Sequence, residues 1–94
     1  MASWDDVRAL GLELPEVEES TSYRMPALRI AGKLIACLSP HDRGALSVRC
    51  DRDERPFLLA ARPDVFFLTP HYEKYPFVLV SLETADRDTL AERL

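Results

Sequence analysis

Residues 24–38, RMPALRIAGKLIACL, restrict the fold more than any other part of the chain. Apolar residues lie on both sides of Ala31 and Gly32. A glycine at this point permits the positive φ that a tight hairpin turn requires. The segment therefore predicts two antiparallel strands joined by a short turn, so the fold must contain a β-sheet.

A third strand is predicted in ALSVRC, which follows the polar turn SPHDRG. Side chains alternate across a strand, so the apolar residues of this segment point one way and Ser47 and Arg49 the other. By the same alternation Arg29 faces outward. If the three strands pair in sequence order, Arg29 and Arg49 lie on one solvated face and Lys33 stands at the hairpin tip.

A helix is predicted before these strands. Ser3 can cap it, Trp4, Val7 and Leu10 recur at helical spacing, and Gly11 and Pro15 close it. The acidic segment PEVEEST that follows is predicted to be a loop. In the second half, DRDERPFLLAARP predicts a helix that starts at one of its first two aspartates and ends before its last proline.

The caps predicted for that second helix are Asp51 or Asp53, and its buried side is formed by Leu58, Leu59 and Ala61. Two strands follow in DVFFL and FVLVSL. The second is almost continuously apolar, which is typical of a strand covered on both faces.

A last helix, predicted to begin at Thr84 or Asp86, is short and must be stabilised by docking on the sheet. The resulting order is α-β-β-β-α-β-β-α. A chain of 94 residues that is 47% hydrophobic and 30% charged suits one small globular domain. We therefore predict a single α+β domain over residues 1–94, with one antiparallel-rich sheet and helices.

Several classes of protein are disfavoured. No segment approaches the roughly 20 apolar residues that span a bilayer, and the N-terminus is acidic where a signal peptide is basic. The expectation is a cytoplasmic protein without a membrane partner. Cys37 and Cys50 lack CxxC spacing and lie in alternating apolar patterns, which predicts buried thiols rather than a disulfide or a metal site. No metal and no cofactor are predicted.

The net charge of −4 is unevenly distributed. Residues 1–20 carry six acids against one base, a balance of −5, whereas residues 21–50 carry five bases against one acid, a balance of +4. Residues 51–94 return to −3, with six bases and nine acids. Because salt limits the reach of each charge to about 8 Å, the basic middle can attract a polyanion locally. The alternative is that these bases only keep a strand surface in water.

Residues 69–82, TPHYEKYPFVLVSL, hold the candidates for a small-molecule site. His71 titrates near neutrality, Lys74 could hold an anion, and Tyr72 and Tyr75 could stack on a planar ligand. No carboxylate other than Glu73 is near enough in sequence to orient the histidine. The chain carries no nucleophile elbow, P-loop or dinucleotide fingerprint, so no enzyme activity is predicted. The residues that remain as ligand-binding candidates are His71 and Tyr72.

Four segments resemble the MmcQ/YjbR family of small bacterial proteins: LELPEVEE, YRMPALRIAGKLIACL, DERPFLL and FFLTPHYEKYPFVLVSL. Together they cover most of the chain. The resemblance implies an α+β fold similar to that of secretion chaperones. It departs from the family at Phe77, where members often carry a tryptophan, and in a final helix that is shorter than in many members.

The resemblance also implies a DNA-binding role attributed to hairpin "wings". The candidate residues are Arg29, Lys33, Arg49 and Lys74. Outward arginines and a lysine at a hairpin tip can reach phosphates. The expected binding is weak and salt-sensitive, because the bases of the middle segment are predicted to lie at opposite strand ends and acids lie nearby.

A third hypothesis is a protein-interaction module, either chaperone-like or self-associating. A sheet of this kind can present an apolar face to another protein or to its own copy, and a short final helix leaves apolar surface uncovered.

Overall fold

The computed structural model describes residues 3–22, 24–39, 45–70, 72–86 and 88–90. Within these residues the elements follow one another as α1 (Trp4–Leu12), β1 (Val17–Ser22), β2 (Met25–Ile30), β3 (Lys33–Leu38), β4 (Ala45–Arg49), α2 (Arg55–Ala61), β5 (Phe66–Phe67) and β6 (Phe77–Ser81). Residues 88–90 are also helical.

In the described part of the chain, six strands form one sheet in the order β1-β2-β3-β4-β6-β5, and every neighbouring pair is antiparallel. The first four strands are consecutive hairpins. β6 then inserts between β4 and β5, so the strand predicted to be covered on both faces lies inside the sheet. The predicted α+β class with one antiparallel sheet is confirmed.

Strand β1 is missing from the predicted order, because its sequence VEESTS was assigned to the acidic loop. It forms an edge strand that pairs with β2 along all six of its residues. An edge strand with few covered positions needs no apolar alternation, and charged residues are common there because they discourage pairing with other chains. Hydrophobic periodicity therefore could not detect it.

The sheet has two buried sides. On the side that carries the helices, a row of directly paired residues crosses from β2 to β6 through Leu28, Ala36, Val48 and Val78. These four residues belong to the main core cluster. On the second side the corresponding row is formed by Ala27, Cys37, Ser47 and Leu79, and all four are buried.

Helix α1 begins as predicted. The Ser3 backbone N–H donates to Asp6 Oδ2 at 3.0 Å, which is the reciprocal half of a capping box. Val7 is fully buried and Trp4 and Leu10 pack against the core. Acids in the first turn also oppose the positive end of the helix dipole.

Helix α1 ends at Leu12, between the two residues predicted to close it, Gly11 and Pro15, so Gly11 lies in its last turn and not beyond its end. Gly11 is buried, and a Cβ placed on it would lie 2.3 Å from Leu28 Cδ1. The glycine therefore sets how closely α1 approaches β2.

Helix α2 starts later than predicted. Its N-cap is Glu54, and Asp51 contributes its backbone carbonyl to the preceding turn. Leu58 and Leu59 pack against the core as expected, but Ala61 is exposed. Ala61 therefore lies on the outer side of this seven-residue helix and not on its buried side.

The final helix begins as predicted at Asp86, whose Oδ1 accepts the Thr89 backbone N–H at 2.8 Å and the Thr89 hydroxyl at 2.7 Å. These hydrogen bonds hold the pKa of Asp86 below its usual value. Leu90 is fully buried, so this segment docks on the core as expected.

No helix within the described residues is long and apolar enough to cross a membrane.

The hairpin between β2 and β3 turns at Ala31 and Gly32, with φ angles of 51° and 81°. Positive φ at both central residues is the signature of a type I′ turn, whose twist matches that of the flanking strands. The predicted hairpin is confirmed, and Lys33 lies directly after the turn.

We expect Gly11→Ala to destabilise the protein by up to about 2 kcal/mol. Overpacking at a closed contact costs about 1–3 kcal/mol, while replacing a helical glycine by alanine returns about 1 kcal/mol. The free energy of unfolding measured in urea tests this. In a Leu28→Ala background the same change should be neutral or stabilising, because the obstructing methyl group is gone. A stabilising effect in the wild-type background would contradict the proposed contact.

Candidate functional site

The four basic candidates lie at one end of the sheet. Arg29 is near the end of β2, Lys33 begins β3, and Arg49 ends β4 directly opposite Phe77. Lys74 comes three residues before Phe77. The antiparallel hairpin order brings these positions together, because the end of β2, the start of β3 and the end of β4 meet at the same edge.

The expectation that the bases of the middle segment lie at opposite strand ends is therefore wrong for Arg29, Lys33 and Arg49. It holds for Arg24, which lies between β1 and β2, at the other end of β2 from Lys33. Arg43 and His41 lie outside the described residues.

Arg29 is half-buried on the second side of the sheet. Its Nε donates to Ser20 Oγ at 3.3 Å and its Nη1 donates to the Gly32 carbonyl at 3.1 Å. Glu18 is its direct partner on β1. The guanidinium thus joins the edge strand to the hairpin turn.

Arg49 lies on the same side as Arg29 and is also half-buried. Its Nε donates to the Leu34 carbonyl at 2.7 Å, and its Cζ lies 4.9 Å from the centre of the Phe77 ring. This distance is within the range of a cation–π contact. The face predicted to be solvated is therefore only partly so, since both arginines are half-buried and donate hydrogen bonds to neighbouring strands or to the hairpin turn.

Lys33 and Lys74 are exposed. The segment that carries Lys74 is held by two arginines that sequence reasoning had not selected. Arg55 donates to the carbonyls of Tyr75 at 2.9 Å and Phe77 at 3.2 Å. Arg52 donates through Nη2 to the carbonyl of Lys74 itself. No periodicity or motif links these arginines to a segment about twenty residues away, so the sequence contains no signal for the contact.

We call this region the basic end, formed by Arg29, Lys33, Arg49, Arg52, Arg55 and Lys74. The hydrogen bonds of its four arginines go to carbonyl and hydroxyl oxygens, which carry no net charge. Within the described residues, the ion pairs closer than 4 Å are Arg8–Glu19 and Arg62–Asp64, and both lie elsewhere. The positive charge of the arginines is therefore not cancelled by direct ion pairing among those residues.

Acidic side chains share this end of the sheet and reduce its field. Among the described residues they are Glu16, Glu18, Asp51, Asp53, Glu54 and Glu73. The potential at the basic end is therefore local and shallow, which restricts any attraction of a polyanion to short range.

The predicted ligand candidates are only partly described. His71 lies outside the described residues. The Tyr72 hydroxyl is 3.4 Å from Ser39 Oγ, and the Tyr72 carbonyl accepts from Arg55 Nη1 at 3.4 Å. Tyr72 thus connects its loop to the end of β3 and to the start of α2, which is a structural role.

Cys37 and Cys50 are free and buried, as predicted. Burial raises the pKa of the Cys37 thiol, and the nearby positive charge of Arg29 acts in the opposite direction. Within the described residues, no three metal-ligating side chains group together.

Comparison with known proteins identifies the family of the chain. A family model described as YjbR matches residues 12–94. The chain belongs to the YjbR family. The uncharacterized protein Rv2570 of Mycobacterium tuberculosis is 34% identical over 109 residues, an alignment that covers 98% of this chain and 82% of Rv2570. The uncharacterized protein Mb2600 of Mycobacterium bovis matches with the same identity and coverage.

A solved structure supports the fold of this YjbR-family chain. The crystal structure of Deinococcus radiodurans protein DR2400, which has a DUF419 domain, superposes with a TM-score of 0.77. The match covers 99% of this chain and 73% of DR2400, at 24% sequence identity. At that identity the likeness concerns the fold alone.

We expect Arg49→Lys to destabilise this YjbR-family protein by about 1–2 kcal/mol although it keeps the charge. Lysine lacks the planar guanidinium that donates to Leu34 while stacking on Phe77. Urea unfolding measures the loss. Arg24→Lys, at an exposed position, should change stability by less than about 0.5 kcal/mol. Equal effects of the two substitutions would show that the contacts of Arg49 contribute nothing.

Proposed function

We propose that the basic end binds nucleic-acid phosphates weakly and without sequence preference. The observation that carries this proposal is the position of Arg29, Lys33, Arg49 and Lys74 at one end of the sheet, with the two arginines bound to neutral oxygens. A guanidinium anchored by a carbonyl keeps its full charge and still has N–H groups that can donate to a phosphate.

Several features make the binding weak. Each neutralised phosphate on duplex DNA contributes about −0.9 to the slope of log affinity against log salt. The four candidate residues could engage about three or four phosphates at most, and the neighbouring acids repel the same backbone. The chain therefore suits transient, salt-sensitive contact with a polyanion rather than recognition of a base sequence.

The proposal predicts that Lys33→Gln weakens binding and lowers the magnitude of the salt slope by about 1. Fluorescence anisotropy with labelled duplex and single-stranded oligonucleotides, titrated at several salt concentrations, measures both quantities. Arg24→Gln is the matched control: it removes one positive charge at the opposite end of β2 and should leave the slope unchanged.

Two results would contradict the proposal. One is no binding of either oligonucleotide by the wild-type protein at low salt. The other is an equal effect of Lys33→Gln and Arg24→Gln, because that would mean that only the net charge of the molecule matters and not the basic end.

A second candidate function is self-association through α2. Phe57 is 75% exposed, and Pro56, Ala60 and Ala61 on the same outer side of the helix are exposed too. Leu58 and Leu59 face the core, so the helix is apolar on both sides, which is typical of a helix covered all round. One aromatic anchor covers about 150–250 Å², well below the roughly 800 Å² per partner of a stable interface. Such association would therefore be weak.

If α2 mediates self-association, the average mass in sedimentation velocity rises with protein concentration and is insensitive to salt. Phe57→Ser should then keep the protein monomeric with an unchanged melting temperature. Leu12→Ser removes another exposed apolar side chain, on α1, and should have no effect on mass. A wild-type protein that stays monomeric at every concentration would eliminate this candidate.

A further inference from the structure

We propose that Arg52 and Arg55 are positioning residues that hold Lys74 in the basic end. This inference rests on the proposed polyanion binding and assigns a role to two residues that the family comparison does not single out. It follows from the way the loop of residues 72–77 is held.

Each backbone carbonyl of that loop accepts a hydrogen bond from outside the loop. Arg55 Nη1 donates to Tyr72, Tyr75 and Phe77 at 3.4, 2.9 and 3.2 Å, and Arg55 Nη2 donates to Glu73 at 3.2 Å. Arg52 Nη2 donates to Lys74. The Cys50 backbone N–H donates to the remaining carbonyl, that of Pro76, at 2.9 Å.

These contacts replace the ladder that residues 72–76 lack before β6 begins at Phe77. Pro76 has no backbone N–H to donate, so the strand does not extend back through the loop and the loop carbonyls require other donors. A planar guanidinium presents five N–H groups in a fixed fork and can serve several carbonyls at once, whereas an ammonium presents three donors at one point.

Lys74 takes part in this network only through its carbonyl, while its side chain is exposed. The two arginines therefore determine where the ammonium of Lys74 can reach, although they contact only the backbone of the loop and not the ammonium itself. Ordering the loop in advance lowers the entropy that phosphate binding would otherwise cost. In this arrangement Arg55 acts on the polyanion through Lys74.

The experiment combines a charge-conserving change with a double-mutant cycle. Arg55→Lys, Lys74→Gln and the double variant are titrated against a fluorescein-labelled DNA duplex at low salt. Arg55→Lys and Lys74→Gln should each weaken binding roughly threefold to tenfold, the size of coupling typical of connected residues. The double variant should bind no more weakly than Lys74→Gln alone.

Amide hydrogen exchange gives a second readout that does not depend on DNA. The amides of Tyr75 and Phe77 donate within the loop, to the carbonyls of Tyr72 and Tyr75. They should exchange at least several-fold faster in Arg55→Lys than in the wild type. Arg62→Lys, which keeps the charge at the other end of α2, is the control and should change neither exchange nor affinity.

The outcomes separate the two proposals. Wild-type protein that does not bind the duplex overturns the proposed function and the role of Lys74, while exchange still decides whether Arg55 holds the loop. If the wild type binds but the effects of Arg55→Lys and Lys74→Gln multiply, Arg55 acts independently of Lys74 and the inference is wrong. Unchanged exchange in Arg55→Lys overturns it as well.

Discussion

The pairing of β4 with β6 is the contact on which the rest of this structure depends. Five residue pairs, from Ala45 with Ser81 to Arg49 with Phe77, join segments about thirty residues apart. The pairing buries Leu46, Val48, Val78 and Val80 on the helix side. It also brings the Phe77 ring under Arg49 and the loop of residues 72–77 beside Arg52 and Arg55. Without this ladder, Lys74 would have no defined position relative to the hairpin that carries Lys33.

The arginines of the basic end are held in place by hydrogen bonds that do not neutralise their positive charge. Each guanidinium is anchored by oxygens without net charge, which orders the side chain and leaves its field intact, apart from the influence of neighbouring acids. A direct ion pair, such as Arg8 with Glu19 on the other side of β1, would instead cancel much of that field. The same neighbouring acids limit the strength of the proposed polyanion binding, because they oppose attraction at distances comparable to the screening length.

Prediction from sequence succeeded where periodicity carries the information. The alternation in ALSVRC placed Ser47 and Arg49 on the correct side, and the apolar run FVLVSL identified an interior strand. It failed where the role of a residue depends on its contacts in the folded structure. The polar edge strand β1 has no periodic signal, and Gly11 serves a helix–sheet contact although glycine is more often found at helix ends. The α2 cap lies at Glu54 and not at Asp51 or Asp53, after a turn in which the Asp51 carbonyl accepts from the backbone N–H groups of Glu54 and Arg55.

The sequence by itself determined the α+β class, the tight hairpin with Gly32 in its turn and Lys33 beside it, and the buried thiols, because these follow from the φ freedom of glycine and from the spacing of apolar residues. The family resemblance is likewise carried by the residues. Only the tertiary structure decided that Arg29, Lys33, Arg49 and Lys74 meet at one end of the sheet, and that Arg52 and Arg55 hold the loop of Lys74. Those arrangements depend on strand order and on side chains that reach across long sequence separations, and no local pattern encodes either.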